Sequence, residues 1–142
     1  MKERWVKTGF SKALSGRPSR NTKPEILLRC ALHALGLRFR IHRRIGRRLT
    51  ADIVLPRYSA VIFVDGCFWH QHRCQRGGRR PPTGPNADMW TRKLTRVKDR
   101  EEIARTILEA DGYAVFRVWE CAILENPTKV ASTLARLFAK RL

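Results

Sequence analysis

Apolar positions along this chain change period several times, and each change marks an element. After the string T-K-P-E at Thr22 to Glu25, residues Ile26, Leu27, Cys30, Ala31, Ala34 and Leu35 recur at helical spacing. Thr22 with Glu25 reads as a capping box, Pro24 is tolerated in a first turn, and Gly36 supplies the stop, so a helix is predicted over 23–35 with Cys30 on its apolar face. Leu37, Phe39 and Ile41 then alternate with Arg38, Arg40 and His42, the pattern of a half-exposed strand, before a basic turn around Gly46. Two compact apolar runs, 51–55 and 60–64, flank Pro56 and suit buried strands joined as a hairpin.

The stretch 75–87 is rich in Gly, Pro and Arg and reads as a loop. Asn86 or Asp88 caps a long helix to Ala110, whose stripe is Trp90, Leu94, Val97, Ala104 and Leu108, with Gly112 ending it. Residues 113–119 alternate as a further strand. Asn126-Pro127 opens a terminal helix bearing Val130, Leu134 and Leu137 on one face. The order helix, three strands, helix, strand, helix predicts one α/β domain over 21–142, a mixed four-stranded central sheet flanked by helices. Residues 1–20 are basic and aperiodic and read as an arm, either a plain tail or a segment that closes over DNA with Trp5 or Phe10 against a base.

Charge narrows the class of partner. The 142 residues carry 30 Lys and Arg against 12 Asp and Glu, a net +18. A compact domain bears that self-repulsion at a cost, and Arg predominates, whose planar fork matches phosphate, so nucleic acid is the expected partner. A ribosome-like scaffold and a membrane-surface protein are the competing readings of charge alone. No run approaches the ~20 apolar residues a bilayer requires, and residues 1–10 lack the apolar core of a signal peptide. A cytoplasmic protein is therefore expected, in which four cysteines serve as core thiols or metal ligands.

Three constellations can carry chemistry. Asp52 and Asp65 lie near the ends of the two apolar runs, and in a hairpin they approach one another. Paired carboxylates at a sheet edge offer Mg²⁺ an oxygen site, where the ion polarises phosphate and acidifies a bound water; the plain alternative is two strand-end residues in turns. Cys67, His72 and Cys74 fall within eight residues, with His70 and Cys121 as candidates for a fourth ligand. That set suits tetrahedral Zn²⁺ in a structural role, against chance clustering of Cys and His. Phe68 and Trp69, projected from a turn-rich segment, and Trp90 suit insertion into a base stack, against simple core packing. His33 and His42 read as surface or otherwise satisfied histidines.

The strings N-T-K-P-E-I-L-L-R at 21–29, A-L-G-L-R-F-R at 34–40, D-I-V-L-P at 52–56, V-I-F-V-D-G-C-F-W-H at 61–70 and V-W-E-C-A at 118–122 resemble the very short patch repair (Vsr) DNA mismatch endonucleases. The resemblance covers about residues 21–124 in the right order. It implies a fold related to the PD-(D/E)xK restriction endonucleases with a structural zinc. It implies Mg²⁺-dependent nicking of one strand of double-stranded DNA beside the T:G mismatch left by 5-methylcytosine deamination, by a monomer associated with a bacterial nucleoid. By motif position, Asp52 is the central Mg²⁺ ligand, the Val64 carbonyl a second, and Asp65 a third or an acid–base group. His70 is the catalytic histidine, and Glu25 supports the metal's hydration. Zinc is held by Cys67, His72, Cys74 and Cys121, while Phe68, Trp69 and Trp90 enter the DNA.

The chain departs from the family pattern at several positions. Asp65 stands where the best-known members have His, Ala51 replaces a Pro, Val97 and Glu101 replace an Asn and an Asp, and the 75–87 loop does not match. A nuclease of the same fold with broader mismatch choice, and a zinc-stabilised DNA-binding module without catalysis, are the alternatives.

Overall fold

The structure is a computed structural model that describes residues 20–45, 49–70, 72–75 and 84–141. The arm at 1–19, the turn around Gly46 and most of the 75–87 loop lie outside the described residues. Helix α1 (Lys23–Ala34) leads into strands β1 (Arg40–Ile45), β2 (Leu49–Leu55) and β3 (Ala60–Asp65), with a single 3-10 turn (Pro56–Tyr58) between the last two. Then follow α2 (Ala87–Ala110), β4 (Ala114–Trp119), a short α3 (Glu120–Glu125) and α4 (Pro127–Ala139). The sequence reading holds for every element except α3, which is too short to show a helical period, and β1, which starts three residues later than the alternation at Leu37.

The four strands lie in the order β1-β2-β3-β4. The first three are antiparallel neighbours, and β4 returns parallel to β3 after the α2 crossover. This is a mixed sheet of the α/β class, and its two faces bury two cores. Ile53, Leu55, Ala60, Ile62 and Val118 pack with Leu28 and Leu32 of α1, Ile123 of α3 and Phe138 of α4. Ala51, Val54, Val61 and Val115 pack with Leu108 of α2 on the other face. The sheet is therefore the middle of three layers, which is why its runs read as nearly continuous apolar stretches. Among the described residues no helix is long and apolar enough to cross a membrane.

Helix α1 starts with Thr22 at its N-cap but without the expected side-chain bond. The Glu25 carboxylate instead accepts from the Asn21 N–H at 3.0 Å, so half of the predicted capping box forms, one residue earlier. Gly36 ends the helix with φ 82°, a conformation costly for residues with a Cβ. Cys30 is exposed, contrary to the expected core packing: α1 buries Leu28 and Leu32, and the Cys30 position turns away from that stripe.

Candidate active site and metal centre

The hairpin sets Asp52 beside the carboxyl-terminal end of β3, next to an irregularity in β1. Ile41 pairs with Ile53 and Arg43 with Ala51, but the intervening His42 and Asp52 drop out of the ladder. His42 has φ 48°, a left-handed conformation uncommon for a side-chain-bearing residue. Alternation breaks at the same level: Ala51 and Val54 both face the α2 side, while Ile53 faces α1. Asp52 thereby turns toward α1, where its Oδ2 accepts from the Val64 N–H at 2.8 Å.

Glu25, His42 and Asp52 form one cluster, with ligand atoms mutually within 4.8 Å. The His42 Nε2 lies 3.7 Å from the Glu25 carboxylate and 3.2 Å from the Asn21 Oδ1. His42 is thus part of the site, against the expectation of a bystander. Burial raises the pKa of Glu25, and the neighbouring Asp52 charge raises it further. Asp52 is raised chiefly by burial, against the Val64 bond and the His42 charge. Two carboxylates that resist ionisation side by side are a donor set that a hard divalent cation relieves, and their oxygens fit Mg²⁺, with the His42 nitrogen better suited to bonding a carboxylate or water than to the ion.

Asp65, His70 and Glu101 form a second cluster on the α2 side of the sheet. The structure thus distributes Asp52 and Asp65 between two neighbouring groups, one on each face, although the hairpin reading put them at one edge. His70 lies between two carboxylates: Nε2 is 3.6 Å from the Asp65 Oδ1, and Nδ1 is 3.0 Å from the Glu101 Oε2. The second contact is an ion-pair distance, and the buried Nδ1 makes no hydrogen bond. Burial, with Glu101 adding to it, lifts Asp65 to a pKa of about 6, against the pull of His70 and Arg117. The Arg117 Nη1 reaches the Asp65 Oδ1 at 2.8 Å and the Glu101 Oε1 at 3.5 Å.

Cys67, His72, Cys74 and Cys121 form a third cluster, the four residues named for zinc, with donor atoms within 4.8 Å of one another. Cys121 Sγ lies 3.4 Å from the His72 Nδ1, close to the ~3.6 Å expected between S and N on a tetrahedral zinc. The register explains the meeting. Asp65 pairs with Trp119 in parallel β3 and β4, so residues two beyond each strand, Cys67 and Cys121, arrive at the same level. Burial pushes the Cys67 thiol up to about 12, the response of packed thiols with no cation, and a bound dication reverses it. The Glu120 Oε1 accepts from the Cys67 N–H at 2.9 Å, and the Trp119 ring stacks on His72 with centroids 4.0 Å apart and planes 7° apart.

Phe68, Trp69 and Trp90 pack on one another with centroids 5.1, 5.4 and 5.8 Å apart. Trp90 is buried and the other two are half-buried, so these rings form a wedge with its own support and do not project singly from the loop. The Lys93 ammonium sits 5.3 Å from the Trp69 centroid and 5.5 Å from that of Trp90.

Sequence reasoning missed His42, Glu101, Arg117, Trp119 and Glu120. Glu101 was visible as an acid in a family acid position; Trp119 and Glu120 directly precede Cys121. His42 carries no local signal, because it lies in an alternating strand among other basic residues; Arg117 is the one basic residue of its strand, and only the register with β3 shows which acids it meets.

A family model described as DNA mismatch endonuclease Vsr matches residues 4–76. The chain is 41% identical over 105 residues, 74% of each protein, to the type II nicking enzyme V.XorIIP of Xanthomonas oryzae pv. oryzae. It is 40% identical over 121 residues, 84% of this chain and 81% of the relative, to the type II nicking enzyme V.NmeAIP of Neisseria meningitidis. It is 36% identical over 117 residues, 80% of this chain and 70% of the relative, to the DNA mismatch endonuclease Vsr of Escherichia coli.

Proposed function

Because the chain belongs to the Vsr family of DNA mismatch endonucleases, we propose that it nicks one strand of double-stranded DNA beside a T:G mismatch by Mg²⁺-dependent phosphodiester hydrolysis. The observation that carries this reading is two clusters, Glu25–His42–Asp52 and Asp65–His70–Glu101, within electrostatic reach of one another, since the Arg117 charge paired to Asp65 also bears on Asp52. Asp52 and the Val64 carbonyl would hold Mg²⁺, with Glu25 supporting its hydration, on a scaffold of the PD-(D/E)xK kind. When bound, the ion supplies charge to the scissile phosphate and lowers the pKa of water.

The protein's own groups do the rest. The Val64 N–H fixes one Asp52 oxygen at 2.8 Å, so the carboxylate cannot swing away from the strand end. His70 accepts the proton of the attacking water; Asp65 and Glu101 on either side stabilise the imidazolium that results. Phe68 and Trp69, backed by Trp90, enter the stack beside the mismatch, where a weakened pair lowers the cost of opening. Cys67, His72, Cys74 and Cys121 would hold a structural zinc ion that ties the aromatic wedge to the end of β4, and four protein ligands would leave it no open position for hydrolysis. The net +18 draws the chain to the duplex, and a monomer in the cytoplasm, at the nucleoid, suffices for a single-strand cut.

The test is Asp52→Ala on a labelled T:G duplex with Mg²⁺. Nicking falls by at least ~10³-fold, the scale of losing a metal's charge stabilisation, while binding measured by anisotropy is retained. Nicking at the wild-type rate refutes the assignment. A second reading, broader mismatch choice, is favoured by the Asp65–Arg117 pair at 2.8 Å in place of the family His. A panel of every mismatch at fixed salt separates the two: equal cutting across the panel selects the broader enzyme.

A further inference from the structure

The two carboxylate clusters balance their charge differently. Beside Glu25 and Asp52 the His42 imidazole lies 3.7 Å from Glu25, while the Arg29 and Arg117 charges reach these carboxylates electrostatically. Arg29 is nearby, but its guanidinium is bonded to the Asn21 Oδ1 and the Glu25 carbonyl. In the second cluster, a permanently charged guanidinium already sits between the acids: the Arg117 Nη1 is 2.8 Å from Asp65 and 3.5 Å from Glu101. Its plane is held over Phe63, 4.5 Å from the ring centroid. Phe63 and Arg117 are register partners in β3 and β4, so backbone pairing and ring stacking both fix the group. All three charged side chains are largely buried, at 19% exposure for Arg117, 4% for Asp65 and 23% for Glu101.

Asp65, His70 and Glu101 have the donor types and spacing of a divalent-cation site, with a buried His70 Nδ1 left without a hydrogen bond. A guanidinium bridging the two acids neutralises the donors such an ion needs and repels it. We propose that Arg117 is the resident cation of this cluster, replacing a second divalent ion, so that the chain works with a single hydrolytic metal, at Asp52. This rests on the metal assignment made above for Asp52. Arg117 is a positioning residue: it holds Asp65 and Glu101 where they flank His70. It also keeps two buried negative charges from repelling an incoming phosphate.

The experiment counts Mn²⁺ bound to the full-length, zinc-loaded chain without DNA, by electron paramagnetic resonance titration. The wild type binds about one Mn²⁺ per chain; Arg117→Met binds about two, the count of a two-metal site. Arg117→Lys, which keeps the charge, stays at about one, and Arg117→Met/Glu101→Gln returns to about one. Circular dichroism and zinc content confirm that each variant is folded, and Arg117→Gln replaces Arg117→Met if that protein does not fold. Two ions on the wild type, or one on a folded Arg117→Met, overturn the proposal. No ion on the wild type with about one on Arg117→Met sinks the Asp52 assignment and sustains the role of Arg117.

Discussion

Removing Cys121 tests what zinc does for this fold. The other three thiol and imidazole groups, Cys67, His72 and Cys74, are neighbours in sequence and can hold an ion locally even in an unfolded chain. Cys121 is 49 residues from His72, and an unfolded chain must close that loop to supply it. Closing a loop of this length costs about 4 kcal/mol of chain entropy at 25 °C. The folded protein avoids the cost because parallel pairing of β3 and β4 has already set Cys121 beside Cys67. Zinc bound to this set would therefore favour the folded over the unfolded chain by about that amount through this one ligand. Against a typical stability of about 5–15 kcal/mol, Cys121→Ala lowers the zinc-loaded melting temperature by roughly 10 °C for a chain of this size. The assay is a four-way comparison by calorimetry: wild type and variant, each with zinc and each after chelation. The chelated pair melts together and the zinc-loaded pair separates. Zinc-loaded proteins that melt within about 2 °C of one another refute the clip, since loop closure then contributes under ~1 kcal/mol.

Three further outcomes are expected. Trp90→Ala costs about 3–5 kcal/mol in denaturant unfolding, because Trp90 is 7% exposed and supports both Phe68 and Trp69. Phe68→Ala, at a half-buried tip, costs less stability than that but lowers nicking of a mismatched duplex; equal rates for wild type and variant at saturating DNA remove the ring from the mechanism. Arg40 and Arg43, both exposed, line a cavity of about 510 Å³ with Arg44, Ser59 and Tyr113; Arg40→Gln/Arg43→Gln reduces the slope of log binding constant against log salt by about 2, and an unchanged slope places the phosphates elsewhere.

What the sequence alone determined was local. Helical spacing at Trp90 to Leu108 and the apolar runs that became β2 and β3 follow from which faces must leave water, and the first helix was legible although it buries Leu28 and Leu32 while Ile26, Cys30 and Leu35 stay exposed. Three members of the Cys/His cluster were legible too, because Cys67, His72 and Cys74 lie within eight residues of one another. Tertiary structure decided the rest. Strand register brought Cys121 to Cys67. The break in alternation at His42 and Asp52 turned one carboxylate toward α1 and left Asp65 facing α2. The α2 crossover carried Glu101 to His70, and β4 carried Arg117 between two acids. A periodic pattern records which residues leave solvent but holds no information about which distant charge will stand opposite. For that reason Asp52 and Asp65 read as one pair in the sequence and belong to two clusters in the fold.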